Sequence, residues 1–249
     1  LSLSPTFWIN ASNQTKVFDA LTGGALPADG AAIARIDDST ANGYGFSQST
    51  TTARPLRDAA AQNGEDIAVF DGSNDFLNLA SSTWASDASA LSVFMVVRNN
   101  YTSPAANRSM FWISANAVNS TARLALNHTT INTFTALWRR ADGNTIATWT
   151  PGASIPSGFF LLRVDINPVS QTITGAINGT SMGSATAFGT AGNTDATSSL
   201  STRIGSGQAS TTFGASDIAT VMSFRRILSA SEISSLESWL STKYNLPTP

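Results

Sequence analysis

The chain has no cysteine. Disulfides, thiolate nucleophiles and Cys-ligated zinc are therefore excluded. It has one histidine, His128, which argues against a multi-histidine metal centre. A serine triad would rest on that single imidazole, and no Gly-x-Ser-x-Gly elbow accompanies it. No Gly-rich stretch is followed by the Lys and helix of a phosphate loop. Charge is scarce too. Asp, Glu, Lys and Arg make up 12% of the residues, about half the usual share for a globular domain. The net charge is −2, and Arg139–Arg140 and Arg225–Arg226 are isolated pairs rather than a basic stripe. Nucleic-acid binding needs clustered cations, so no nucleic-acid partner is expected. No apolar run approaches the roughly 20 residues of a membrane helix, so no membrane insertion is expected either.

What remains is an uncharged, polar and β-rich sequence. Hydrophobic residues form 42% of 249, enough for a sizeable core, and no repeat or linker divides the chain. A single domain over 1–249 is expected. Phe7-Trp8-Ile9 reads as a first short strand, and a loop-rich region follows to about Arg57. Ile67–Phe70 and Phe76–Leu79 flank Asp71-Gly72-Ser73-Asn74-Asp75, a hairpin pattern. Leu91–Val97 is almost wholly apolar, as a strand covered on both faces would be. Met110–Ile113, Arg123–His128, Thr133–Arg139 and Thr145–Trp149 continue the strand series. Phe160, Leu162, Val164 and Ile166 alternate with other residues at period two, and Asn178-Gly179 has the composition of a type I′ turn.

One helix is expected, at the C-terminal end. Ser229 and Glu232 have the spacing of a capping box, and Leu228 and Ile233 that of a hydrophobic staple. Ile233, Leu236 and Leu240 form an apolar stripe, and Lys243 stands in the last turn, where the helix dipole favours a cation.

Three segments carry a family resemblance. The first is Phe7–Ser12 with Ala32–Asp38 and Arg54-Pro55. The second is Val69-Phe70-Asp71-Gly72-Ser73-Asn74-Asp75-Phe76-Leu77. The third runs from Ile204-Gly205 through Phe213-Gly214, Ile218-Ala219 and Phe224–Ser229 to Lys243-Tyr244. Together they resemble the laminin-G-like jelly-roll domains of the concanavalin A-like lectin and glucanase superfamily. The resemblance implies an all-β, two-sheet antiparallel sandwich with one C-terminal helix. It also implies a concave sheet face, in domains found on phage particles, bacterial surfaces and extracellular enzymes. It implies no reaction, because one fold hosts many functions.

Glycosidases on this scaffold resemble one another in placing two or three acids at alternate positions of one strand. Glu65, Glu232 and Glu237 are the only glutamates here, and no such acidic strand exists. The chain is therefore expected not to be an enzyme. The expected function is a non-catalytic extracellular or virion-surface module that binds glycan or polysaccharide. The alternative is a structural decoration or fibre subunit acting on other virion or surface proteins. Aromatic faces and hydrogen-bonding side chains would carry sugar binding, and the middle strands supply Trp112, Asn127, His128, Trp138, Arg139 and Trp149 as candidates. Core packing is the competing fate of each tryptophan. Asp37, Asp38, Asp71 and Asp75 are the oxygen-rich loop residues that a Ca2+ ion would use, with turn capping as the competing role.

Overall fold

The computed structural model describes residues 3–80, 83–101, 107–114, 122–129, 133–152, 154–195, 201–207 and 212–247. Two antiparallel sheets account for the strands. The nine-stranded sheet runs β12 (Ala147–Trp149), β11 (Phe134–Trp138), β10 (Ala122–His128), β9 (Arg108–Ser114), β16 (Thr202–Ile204), β7 (Leu77–Leu79), β4 (Gly45–Ser47), β3 (Arg35–Asp37) and β2 (Val17–Phe18). The eight-stranded sheet runs β15 (Thr180–Ala185), β14 (Thr172–Ile177), β13 (Phe160–Asn167), β8 (Leu91–Asn99), β17 (Ala215–Phe224), β6 (Glu65–Asp71) and β5 (Leu56–Gln62). Its eighth strand, β1 (Phe7–Asn10), pairs with the C-terminal half of β17 while β6 pairs with the N-terminal half.

Period-two alternation builds the core between the sheets. From the eight-stranded sheet come Leu91, Val93, Met95 and Val97 of β8 with Phe160, Leu162, Val164 and Ile166 of β13. From the other sheet come Leu77, Leu79, Phe111, Ile113, Leu124, Leu126, Phe134 and Ile204. Each such side chain contributes about 1.5–3 kcal/mol on burial. Phe7 sits at the centre, edge-on to Trp84 at 5.0 Å and close to Phe46 at 5.4 Å.

The apolar run in β8 has a second cause. Phe94 and Val96 point away from the inter-sheet core and pack under the helix α1 (Ala230–Tyr244) with Leu161, Met222, Leu236, Leu240 and Tyr244. The helix is thus a third layer on the outer face of the eight-stranded sheet. Its start follows the sequence pattern: Ser229 and Glu232 form a complete capping box. Arg226 also pairs with Glu232 at 2.7 Å. Its end is held by the turn after β5, where Asn63 Nδ2 donates to the Lys243 carbonyl at 2.9 Å and Lys243 pairs with Glu65 at 2.5 Å.

One connection departs from the sequence pattern. The segments flanking Asp71–Asp75 do not form a hairpin, because β6 lies in one sheet and β7 in the other. The loop between them is a bend from sheet to sheet. The true hairpin is β5–β6, turning at Asn63-Gly64, both with positive φ (53° and 80°). Asn178-Gly179 turns β14 into β15 as expected, with φ of 47° and 72°.

Candidate functional site

The helix packs on the outer face of the eight-stranded sheet, and among the described residues no α-helix packs on the outer face of the nine-stranded sheet. One register row crosses all nine strands there. It reads Thr148, Leu137, Ala125, Trp112, Arg203, Asn78, Ser47, Arg35 and Phe18. Each member flanks inward core residues on its own strand, as Asn78 stands between Leu77 and Leu79. Residues on one row are about 4.8 Å apart from strand to strand.

The row has two parts. At Trp112 and Ala125 it is closed: the indole and the methyl are buried and pack with half-buried Leu137 as a small apolar cluster. Trp112 is 5% exposed, and its Nε1 is buried without a hydrogen-bond partner. From Arg203 to Phe18 the row is half-exposed and mixes cations, hydrogen-bonding groups and aromatic rings. Arg203 lies over the Phe76 ring, its guanidinium carbon 4.4 Å from the centroid, and its Nη1 donates to the Gly207 carbonyl at 2.9 Å. Burial lowers the Arg203 pKa from the usual guanidinium value. Arg35 repeats the arrangement over Phe18 at 4.2 Å and pairs with Asp37 at 2.9 Å. Asn78 and Ser47 stand between the two stacked guanidiniums, and Asn78 Oδ1 is buried without a hydrogen-bond partner.

The six residues singled out in the sequence divide between the two faces. Trp112, Asn127 and Arg139 lie on the outer face, though all three are buried. Asn127 Oδ1 accepts from Ser109 Oγ at 2.9 Å. Arg139 donates to the carbonyls of Ala122 and Asp142 at 3.1 and 2.9 Å. Burial lowers its pKa, with neighbouring Arg123 adding repulsion that Asp142 opposes. Trp138 and Trp149 point the other way. Both belong to the inter-sheet core, Trp138 with no exposed surface and Trp149 edge-on to Phe134 at 6.3 Å. Neither offers a ring face to a sugar, which corrects their reading as platforms: even-numbered Trp138 shares the inward parity of Phe134 and Ala136. His128 is likewise internal. It is 1% exposed, burial lowers its pKa, and Asn99 Nδ2 from the opposite sheet donates to its Nδ1 at 2.7 Å. It joins the two sheets at one end of the sandwich.

The four aspartates act on the backbone. Asp38 Oδ1 accepts from the amides of Trp8 and Thr40 at 2.8 and 2.9 Å. Asp71 Oδ1 accepts from the amides of Ser73 and Asn74 at 2.7 and 3.1 Å, and Asp75 Oδ2 from that of Asp71 at 3.0 Å. Burial pushes the Asp75 pKa up to about 6, opposed by that amide and reinforced by the charge of Asp71. Asp37 is engaged by Arg35. Among the described residues, no three His, Asp or Glu side chains are grouped to hold a metal ion. Turn capping accounts for Asp38, Asp71 and Asp75.

Arg203, Asn78, Phe76, Arg35 and Phe18 were not singled out from sequence. Alternation marks Asn78 and Arg203 as outward, but the register that aligns them is a property of the assembled sheet.

No protein-family model matches the chain, and no curated protein does. Solved structures do. The chain is similar to the binding domain of Paraclostridial Mosquitocidal Protein 1, with a TM-score of 0.61 and 10% identity over 94% of this chain and 52% of that one. It is similar to the NanB sialidase from Streptococcus pneumoniae, with a TM-score of 0.53 and 13% identity over 67% of this chain and 26% of that one. It is also similar to the CBM40 module of a Ruminococcus gnavus sialidase, solved with α2,3-sialyllactose, with a TM-score of 0.51 and 14% identity over 63% and 85%. The chain therefore spans about a quarter to a half of the first two. At these identities the likeness is one of fold, a lectin-like β-sandwich.

Proposed function

We propose that this chain is a non-catalytic glycan-binding module that uses the outer face of its nine-stranded sheet. The observation that carries the reading is the half-exposed row from Arg203 to Phe18. It places stacked Arg–Phe pairs at both ends of a hydrogen-bonding stretch, Asn78 and Ser47. Sugars present hydroxyls and apolar C–H surfaces together, and sites for them combine apolar rings with a few placed polar groups. The fold supports the reading, since the similar structures include a module solved with a sialylated sugar. No carboxylate pair of the kind glycoside hydrolysis needs faces outward on β7, β9, β10, β11 or β16, which supports binding without reaction. The laminin-G-like segment pattern and the polar, weakly charged sequence favour a place on a virion or bacterial surface.

The test is a screen of the chain against glycans and bacterial surface polysaccharides. Saturable binding, lost in the Asn78→Ala variant and in the folded fraction of the Phe76→Ala variant, is the expected result. Absence of binding to every glycan, from folded protein, would sink the reading.

A second reading has one observation in its favour. Leu3, Pro5, Trp8, Met222, Phe224, Leu236 and Trp239 line an apolar cleft of about 190 Å³ on the helix side, with Trp8 edge-on to Trp239 at 5.7 Å. Such a cleft suits a structural subunit that acts through protein contacts. Concentration-dependent assembly that Trp239→Ser abolishes, without glycan binding, would favour it.

A further inference from the structure

The apolar cleft on the helix side is built before any occupant arrives. Met222, Phe224 and Leu236 are its buried lining, between α1 and the eight-stranded sheet. The half-buried rings of Trp8 and Trp239 and the N-terminal residues Leu3 and Pro5 complete it. Trp8 is held twice: its amide donates to Asp38 Oδ1 and its Nε1 to Thr220 Oγ1, each at 2.8 Å. The N-terminal segment is pinned along its length. Arg226 Nη2 donates to the Leu3 carbonyl at 3.5 Å, Asn42 Nδ2 to the Thr6 carbonyl at 2.8 Å, and the Thr6 amide to the Ser223 carbonyl at 2.7 Å. A preformed site loses little conformational freedom on binding.

Charge and size define what fits. No lining residue is charged. Arg226 and Glu232, the ions near the start of the helix, neutralise each other at 2.7 Å. A charged occupant would lose its water and gain no partner, so an uncharged one is favoured. The volume is about 190 Å³. An apolar cavity of about 150 Å³ takes one benzene ring, so this cleft takes a single ring with a small substituent and not two fused rings. Trp8, Trp239 and Phe224 offer ring faces and edges, and Met222 offers a thioether. Both kinds of group gain from contact with a further aromatic ring beyond the area buried. One ring buries about 150–250 Å², well short of the about 800 Å² per partner of a stable protein interface. The cleft itself thus suits a free small molecule better than a subunit face.

We propose that this cleft is a second ligand site, for an uncharged molecule the size of one substituted aromatic ring. It lies on the helix side of the sandwich and does not depend on the glycan-binding reading of the other sheet. Trp8 and Trp239 are its specificity-determining residues, because their rings set the preference for an aromatic over an aliphatic ring of the same size.

The experiment follows the indole N–H signals of the six tryptophans by NMR on the intact chain during titration with p-cresol. Saturable shifts in the millimolar range, confined to Trp8 and Trp239, are expected. Methylcyclohexanol, the same shape without the aromatic ring, should bind about three- to ten-fold more weakly. Naphthol should be excluded by size and benzoate by charge. Trp239→Ala should abolish the shift at Trp8, and Trp239→Phe should keep part of it. The comparison of ligands on the parent chain stands even where Trp239→Ala fails to fold. No saturable shift at Trp8 or Trp239, or equal shifts at all six indoles, would overturn the proposal. So would equal binding of methylcyclohexanol or of benzoate. Concentration-dependent assembly that shields both indoles from p-cresol would assign the cleft to a second copy and overturn it. Binding seen only after removal of residues 1–2 would assign it to the chain's own start, with the same consequence.

Discussion

Glu237 of the helix α1 reaches Arg163 of β13 at 3.0 Å, and the same guanidinium meets Asp165 at 3.2 Å. Two buried carboxylates thus share one cation beneath the helix. Asp165 gains a further bond from Ser92 Oγ at 2.5 Å, whereas Arg163 Nε and Glu237 Oε1 sit at ion-pair distance without hydrogen-bond alignment. Burial pushes both carboxyl pKa values up, with Arg163 pulling each back and their mutual repulsion adding to the rise at Glu237.

That arrangement sets the sign of a pH dependence. An acid whose folded pKa is raised holds its proton more tightly folded than unfolded. Its contribution is complete below the unfolded pKa and is lost as pH rises through the folded value. Asp165, Glu237 and Asp75, the last at about 6, all act in this direction. Glu232 acts oppositely: Arg226 and the Ser229 cap hold it at about 2, so its contribution is lost as pH falls towards that value. The melting temperature should therefore fall as pH rises from about 4 through 6 and beyond. Glu237→Gln should flatten that fall and raise the midpoint at neutral pH, because a neutral amide replaces the second carboxylate. A parent-like slope in the variant, measured by thermal melts across pH 4–8, would contradict the account.

Trp138 and Phe76 should separate stability from binding. Trp138→Ala empties a fully buried position in the core and should cost about 3–5 kcal/mol. Phe76→Ala acts at a half-exposed ring under Arg203 and should cost less stability, about 1–2 kcal/mol, while weakening glycan binding. Urea denaturation paired with binding to the folded fraction distinguishes them. Selective loss of binding in Trp138→Ala, with stability intact, would contradict the placement of that ring.

Gly205 should tolerate no side chain. Its φ is +86°, and a Cβ there would lie 2.2 Å from Cδ1 of Phe70, a core ring of the opposite sheet. Gly205→Ala should destabilise by at least about 2 kcal/mol, from backbone strain and displacement of that ring together. A change below half that amount in urea midpoints would show that the sheets separate more easily than their packing implies.

The sequence made the helix legible because its signals are local: the Ser229–Glu232 box, the Leu228 staple and the apolar stripe lie within one segment. The strand series followed from alternation and turn residues, and the two-sheet sandwich from the family resemblance. Two things were not local. Asp71–Asp75 has hairpin composition, yet its flanking strands find better partners in different sheets, β17 and β5 for one and β16 and β4 for the other. For the tryptophans, parity alone does not say which face is inside. Trp112 and Trp138 lie on neighbouring strand systems and face opposite ways. The Arg203–Asn78–Ser47–Arg35 row draws on four segments spread over about 170 residues of sequence, and only the completed register aligns them.

The position of β17 has a kinetic consequence. It pairs with β8 along one side and with β6 and β1 along the other, so Phe7 meets Ser223 across most of the chain. During synthesis the first strand has no sheet partner until residues beyond 220 emerge, and the core around Phe7 stays open to water until then. Loops of that length close slowly, and folding rates fall as such distant pairings dominate. Core closure waits on the emergence of β17, and until then the nascent β1 and β6 edges are where a chaperone or a second copy would meet this chain first.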